Sequence, residues 1–232
     1  KYFATSLSNQ EISIGIRFDS RWNAVTMARL PNTLQKNVVR WDYSAPDTVQ
    51  FPKHLGRLGS WELLDLLGEG CLCRVYAAKP IQARSTARES GYAIKKLRRL
   101  WDGDPRAQEF LYREAEVGAT VSHPNVVPIL AATSKYIVMP RLEGQTVATA
   151  LAAGWRPVIP VALWIRRQVA MGLAAIQTTC HMIHGDVKPS NIFLAPSGHA
   201  TLIDLGFART LTECRSIANR PVLGSLHYTA PE

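Results

Sequence analysis

His184-Gly185-Asp186-Val187-Lys188-Pro189-Ser190-Asn191 sets Asp186, Lys188 and Asn191 within six residues, directly after a helical segment and directly before a hairpin. The hairpin turn falls at Pro196-Ser197-Gly198-His199, so Asn191 to Ala195 is expected to pair antiparallel with Ala200 to Asp204. In that register Asn191 stands opposite Asp204, and two oxygen donors meet at the open end of the hairpin, as a hard divalent cation requires. An Asp placed there can orient an incoming hydroxyl and accept its proton, and a Lys two residues on can neutralise a moving phosphoryl group. His184 reads as a packed structural histidine rather than a base. Any fold for this chain has to bring a helix end and a hairpin together around these groups.

A chain of 232 residues, 47% of them hydrophobic, can bury a core and is not globally disordered. No continuous apolar run approaches the ~18 residues of a membrane helix, and Pro157 to Ile165 is the best candidate. The four cysteines form no C-x-x-C pair and read as reduced thiols of a cytoplasmic protein. The net charge of +9 comes from scattered arginines and lysines, so a nucleic-acid surface is not expected. The chain begins at Lys1 with no signal-peptide pattern, which fits a piece of a longer protein whose other parts could carry an anchor.

Residues 1–56 carry no chemical motif. Ile12 to Ile16 alternates like a strand, and Tyr43 to Leu55 reads as a linker. From Trp61 the pattern changes. Strands are expected at Trp61 to Leu67, Arg74 to Ala78 and Gly91 to Leu97, with a polar loop at 79–90 and two short strands flanking Thr133-Ser134. Helices are expected at Arg106 to Ser122 and at Pro160 to Thr179, the latter opened by its proline.

Gly68-Glu69-Gly70 lies between two strands, where bare backbone could approach phosphate; a tight hairpin would look the same. On the third strand Ala93 and Lys95 share a face, so a small residue beside an ammonium faces one pocket. A solvated edge lysine is the plainer alternative. Glu114 sharpens the choice. It sits inside the apolar stripe of its helix, between Phe110/Leu111 and Val117/Gly118, and an inward carboxylate needs a cation. Lys95 is the candidate partner; pairing with Arg113 or water is the alternative.

Taken in order and spacing, these motifs resemble the eukaryotic-type protein kinase superfamily over residues 60–232. Gly68-x-Gly70 resembles the glycine-rich loop, and Ala93-Ile94-Lys95 the lysine strand. Glu114 resembles the helix glutamate, nine residues before His123-Pro124-Asn125. His184 to Asn191 resembles the catalytic loop, Asp204-Leu205-Gly206 the metal-binding triplet, and Gly224 to Glu232 the end of the activation segment. The resemblance implies a two-lobed α+β fold, with residues 1–56 as an extension, 57–142 as the upper lobe and hinge, and 143–232 as an incomplete lower lobe. It implies ATP and Mg²⁺ or Mn²⁺, with a protein bearing serine or threonine as substrate. Leu67, Gly68, Glu69, Gly70, Val75, Ala93, Lys95, Met139, Pro140, Leu142 and Phe193 would bind the nucleotide. Asn191 and Asp204 would hold the metal, and Lys95, Glu114, Asp186 and Lys188 would serve transfer. Lys188 after Asp186, and Ser225 after Gly224, are similar to serine/threonine kinases, and several compact features to bacterial ones.

Three departures stand out. Cys73 occupies the third glycine position and reads as a small residue filling the turn, or else as a redox-sensitive thiol. Gly185 replaces an arginine that in the family pairs with a loop phosphate, which suggests activity without that phosphate; Thr210, Thr212 and Ser216 are hydroxyls in the same segment. Leu205 replaces phenylalanine. A nucleotide-binding module without transfer and a small-molecule kinase are the competing functions; Lys188 and residues 224–232 argue against the latter.

Overall fold

A computed structural model describes residues 12–13, 55–82, 91–216, 225 and 228. Seven strands make one antiparallel sheet: β1 (Ile12–Ser13), β2 (Gly56–Leu58), β3 (Trp61–Glu69), β4 (Cys73–Pro80), β5 (Tyr92–Leu97), β6 (Ala131–Ala132) and β7 (Tyr136–Pro140), in the order β1-β6-β7-β5-β4-β3-β2. The expected strands are all present, and β4 runs on to Pro80, so the loop expected at 79–90 starts later; residues 83–90 lie outside the described residues. Of the strand expected near residues 12–16, Ile12–Ser13 pairs with β6 and the rest lies outside them.

Alternation divides the sheet's side chains between two cores. Leu63, Ala78, Ile94, Tyr136 and Val138 pack on one face. On the other, Ala93, Leu97, Ile137 and Met139 join the larger core beneath. Ala93 and Lys95 therefore share the inner face, as period-2 alternation requires.

Helix α1 (Pro105–Thr120) crosses that inner face. Asp104 caps it, accepting from the N–H groups of Arg106 and Ala107 at 2.8 and 3.2 Å, and Pro105 opens its first turn. Its buried residues are Ala107, Leu111, Glu114, Ala115, Val117 and Gly118, so the apolar stripe is real and the carboxylate lies in it.

After β7 come β8 (Gln145–Thr146), α2 (Val147–Ala152), α3 (Ile159–Cys180), β9 (Met182–Ile183), β10 (Ile192–Leu194), β11 (Ala200–Leu202), β12 (Arg209–Thr210) and α4 (Leu211–Ser216). The 22 residues of helix α3, with mean hydropathy 1.3 over an 18-residue window, are long and apolar enough to cross a membrane by length and composition. It holds no unbroken apolar run, because Arg166, Arg167 and Gln168 interrupt the pattern. One stripe of it is packed, and 28% of that window is buried. Ile165, Val169 and Ile176 join the main core, and Gln168 bonds to Asn125, Ala200 and Gly198.

The hairpin register also differs from expectation. Ile192 pairs with Leu202 and Leu194 with Ala200, and Ile203 N–H donates to Asn191 O at 3.0 Å. Asn191 is thus opposite Ile203, not Asp204. The turn has three residues rather than four. Gly198 adopts φ 80° and donates to Ala195 O, and Ala195 N–H donates to His199 O. A glycine in the left-handed region permits this bulged turn, and the bulge moves the pairing by one residue.

Candidate active site

Lys95 Nζ reaches Glu114 Oε2 at 2.6 Å and Asp204 Oδ1 at 2.9 Å. The Glu114 side chain is 3% exposed and that of Lys95 14%. Taking such a pair out of water costs several kcal/mol per ion and is sustained only by close, well-formed contacts. Burial pushes the Glu114 carboxyl up to about 7, with the Lys95 charge pulling against it. Burial works to discharge Lys95, but Glu114 and Asp204 together hold it well above the ordinary lysine range. The short N–O distance is that of a charge-assisted bond, so the lysine is ionic. Asp204 leaves its strand with φ 63°, which turns its carboxylate toward Lys95 despite the changed register. Burial would raise its pKa; the charge and hydrogen bond of Lys95 outweigh this and hold it below the ordinary value.

Asp186 is buried and held on both oxygens. Oδ1 accepts from Ser225 N–H at 3.1 Å, and Oδ2 accepts from Asn191 Nδ2 at 3.0 Å and pairs with Lys188 Nζ at 2.8 Å. Burial opposes its charge, but the bonds from Lys188 and Ser225 win and keep its pKa below the usual carboxylate range. Lys188 Nζ also donates to Ser225 Oγ at 2.7 Å. Asn191 Nδ2 donates as well to Asp186 O at 2.9 Å, which fixes the amide and leaves Oδ1 as its acceptor face. His184 is buried, accepts the Asp186 N–H on Nδ1 at 3.3 Å, and has its pKa lowered by burial, as a structural histidine should.

Gly185 has φ 79°, and a Cβ there would lie 2.3 Å from Phe207 O. The position therefore requires glycine for space as well as for backbone conformation. Gly185→Ala is expected to cost at least about 1–2 kcal/mol from the left-handed backbone alone, with the contact to Phe207 added. Thermal denaturation beside the parent checks this, and an unchanged midpoint would refute it.

Toward the sheet, Leu67 is half exposed, and Gly68, Glu69 and Gly70 close β3 and enter the turn. The Glu69 side chain is committed to Arg74 at 2.9 Å and Arg98 at 3.6 Å. The turn is pinned from behind, a feature sequence reasoning missed. Trp101 Nε1 donates to Cys71 O at 3.0 Å and Arg98 N–H to Leu72 O at 2.8 Å. Cys73 begins β4 opposite Leu97 rather than filling the turn. Burial, with Glu114 and Asp204 nearby, pushes its thiol up to about 11, so it stays protonated and is not a reactive thiolate. Ala93 pairs with Met139 and Tyr92 with Pro140, which sets the β7 end beside the lysine strand. Val75 packs against the same core, whereas Leu142 and Phe193 line a cavity with residues 195–197, His199 and Thr201 of the hairpin, which none of the other expected nucleotide residues lines.

Ser225, which the sequence marks only through a likeness to serine/threonine kinases, bonds to both Asp186 and Lys188 and belongs to the site. Gly224 and residues 229–232 lie outside the described residues.

A family model described as "Protein kinase domain" matches residues 61–232. Similar curated proteins include the serine/threonine-protein kinase PrkC of Bacillus subtilis, 31% identical over 179 residues, covering 75% of this chain and 26% of the relative. The serine/threonine-protein kinase PknD of Mycobacterium tuberculosis is 29% identical over 185 residues, covering 78% and 27%. The chain thus spans about a quarter of the length of these relatives. A solved structure, the Mycobacterium tuberculosis PknI kinase domain, shares the fold with a TM-score of 0.53 and 23% identity, covering 66% of this chain and 62% of that one.

Proposed function

Since the chain belongs to the protein kinase domain family, we propose that it transfers the γ-phosphoryl group of ATP to serine or threonine hydroxyls of proteins. The observation that carries this reading is the Asp186 carboxylate, ionised, with Lys188 at 2.8 Å and both groups bonded to Ser225. An acceptor hydroxyl beside Asp186 would be oriented by a carboxylate too weakly basic to strip its proton early. That suits a loose transition state in which positioning and charge do most of the catalysis. Lys188 would offset the charge on the moving group, and Lys95, fixed by Glu114, would hold the phosphates that stay behind.

Asn191 and Asp204 fit a hard cation: one amide oxygen whose Nδ2 is engaged by two bonds and which has only a 3.5 Å contact from the Ser190 hydroxyl, and one ionised carboxylate. Mg²⁺ or Mn²⁺ bound there would neutralise charge between phosphate oxygens. Gly68 has no neighbour that a Cβ would meet, and Gly70 meets only ordinary contact at 3.6 Å. The space beside the backbone at both positions is open, as an approaching phosphate would require. Val75, Ala93, Met139, Pro140, Leu142 and Phe193 would enclose the base. The division into extension, upper lobe with hinge, and lower lobe follows the same reading. Four free thiols and the use of ATP suit a cytoplasmic setting.

Incubation of the full-length protein with Mg²⁺ and γ-labelled ATP is expected to leave acid-stable label on serine or threonine, in itself or in added protein. Nucleotide binding without transfer under either metal would sink this reading in favour of a regulatory binding module.

A further inference from the structure

The segment after Asp204 is fastened to helix α1 by one carboxylate whose two oxygens have separate partners. Thr210-Leu211-Thr212-Glu213 has the T-x-x-E spacing of a capping box. Thr210 Oγ1 accepts from Glu213 N–H at 3.1 Å, and Glu213 Oε2 accepts from Thr210 N–H at 2.7 Å and from its hydroxyl at 3.0 Å. The other oxygen, Oε1, accepts from Arg113 Nη2 at 2.7 Å, across 100 residues of sequence. Arg113 immediately precedes Glu114; its second contact, to Glu116 on its own helix, is only 4.0 Å. Burial would raise the Glu213 pKa, but the bonds from Thr210 and Arg113 outweigh it, so the carboxylate is ionised near neutral pH.

The same two elements meet elsewhere. The rings of Phe110 and Phe207 lie 4.8 Å apart, and a Cβ on Gly206 would come within 3.0 Å of Phe110 O. Helix α1 and residues 205–213 are therefore one packed unit. At one end Lys95 joins Glu114 to Asp204; at the other Arg113 joins the helix to Glu213.

We infer that Glu213 is a positioning residue for phosphoryl transfer. Through Arg113 it holds α1 with Glu114 turned toward Lys95 and holds the segment that starts at Asp204. The anchoring negative charge is a side chain of the unmodified protein, so the site assembles without a phosphate on this segment. The Thr210 hydroxyl is already occupied by the capping box. This inference rests on the kinase reading and goes beyond it.

The test uses the full-length protein treated with a phosphatase, beside Glu213→Gln, Arg113→Gln and the double variant. The treated parent should keep its rate. Each single variant should lose about tenfold in kcat with little change in KM for ATP, and the double should lose no more than either single, as a coupled pair does. Arg113→Lys should recover part of the loss. Amide exchange in residues 105–120 and 205–213 should quicken in Glu213→Gln. Loss of the parent's rate on phosphatase treatment overturns the inference, as does an unchanged or raised kcat in Glu213→Gln. If the parent transfers nothing, the kinase reading falls instead. Exchange then decides alone: unchanged protection of residues 105–120 in Glu213→Gln overturns the clasp.

Discussion

Asp186→Asn should lower phosphoryl transfer by about 10²–10⁴-fold, the usual range for losing a positioned acid–base group, while ATP still binds. The amide keeps the shape of the side chain but has only one acceptor oxygen. Asp186 now receives Ser225 N–H on Oδ1 and both Asn191 and Lys188 on Oδ2. In either orientation the new NH₂ group faces a donor, so the variant should also lose about 1–3 kcal/mol of stability for an unsatisfied buried group. Single-turnover transfer and nucleotide binding, measured together, separate the two effects; a variant transferring at the parent's rate would remove Asp186 from the chemistry. The pH dependence has a definite sign. With its pKa depressed in the fold, Asp186 contributes stability fully present above the unfolded value of about 3.9 and lost as pH falls through the lower folded value. Its ionisation therefore produces no acid limb in the rate near neutral pH.

Lys95→Met carries the largest expected loss of stability. It leaves Glu114 buried with no cation, and breaking a buried pair from one side costs about 3–5 kcal/mol. It also removes the group expected to hold phosphate, so activity should fall to background. The loss of stability should depend on pH. The folded-state pKa of Glu114, already pushed up to about 7 by burial, rises further once Lys95 is gone. A carboxyl whose pKa is raised in the fold stabilises most below its unfolded value and loses that contribution as pH rises through the folded value. The variant should accordingly be nearest to the parent at about pH 5 and furthest from it at about pH 8. Adding Glu114→Gln to Lys95→Met should recover stability at the higher pH and no activity. Denaturant unfolding at both pH values tests this; an equal deficit at each would show that Glu114 is not the cause.

The Lys95–Glu114 pair could be read from the chain because periodicity carries the information. A carboxylate inside an apolar helical stripe must face inward, and a lysine two residues from a small buried residue on a strand must share its face. The same reasoning located the two long helices and the main strands, but not the short helices at 147–152 and 211–216 or the short strands at 56–58, 145–146, 182–183 and 209–210. The hairpin was legible too, but its register was not, because turn length hung on Gly198 adopting a left-handed conformation that spacing alone does not reveal. Gly185 was legible as a missing arginine. That it must be glycine, because Phe207 O approaches it so closely, is a fact of two segments meeting.

Residue type and local period thus determined which charged and polar groups stand as candidates for phosphate and metal, and which face of its helix or strand each occupies. Tertiary structure alone decided which distant groups meet. Ser225 closes on Asp186 across 39 residues, Trp101 on the Cys71 carbonyl across 30, and Glu213 on Arg113 across 100. The physical reason is reach: backbone periodicity constrains neighbours a few residues apart, whereas a hydrogen bond between remote segments depends on how whole elements pack, to which no local pattern is tied.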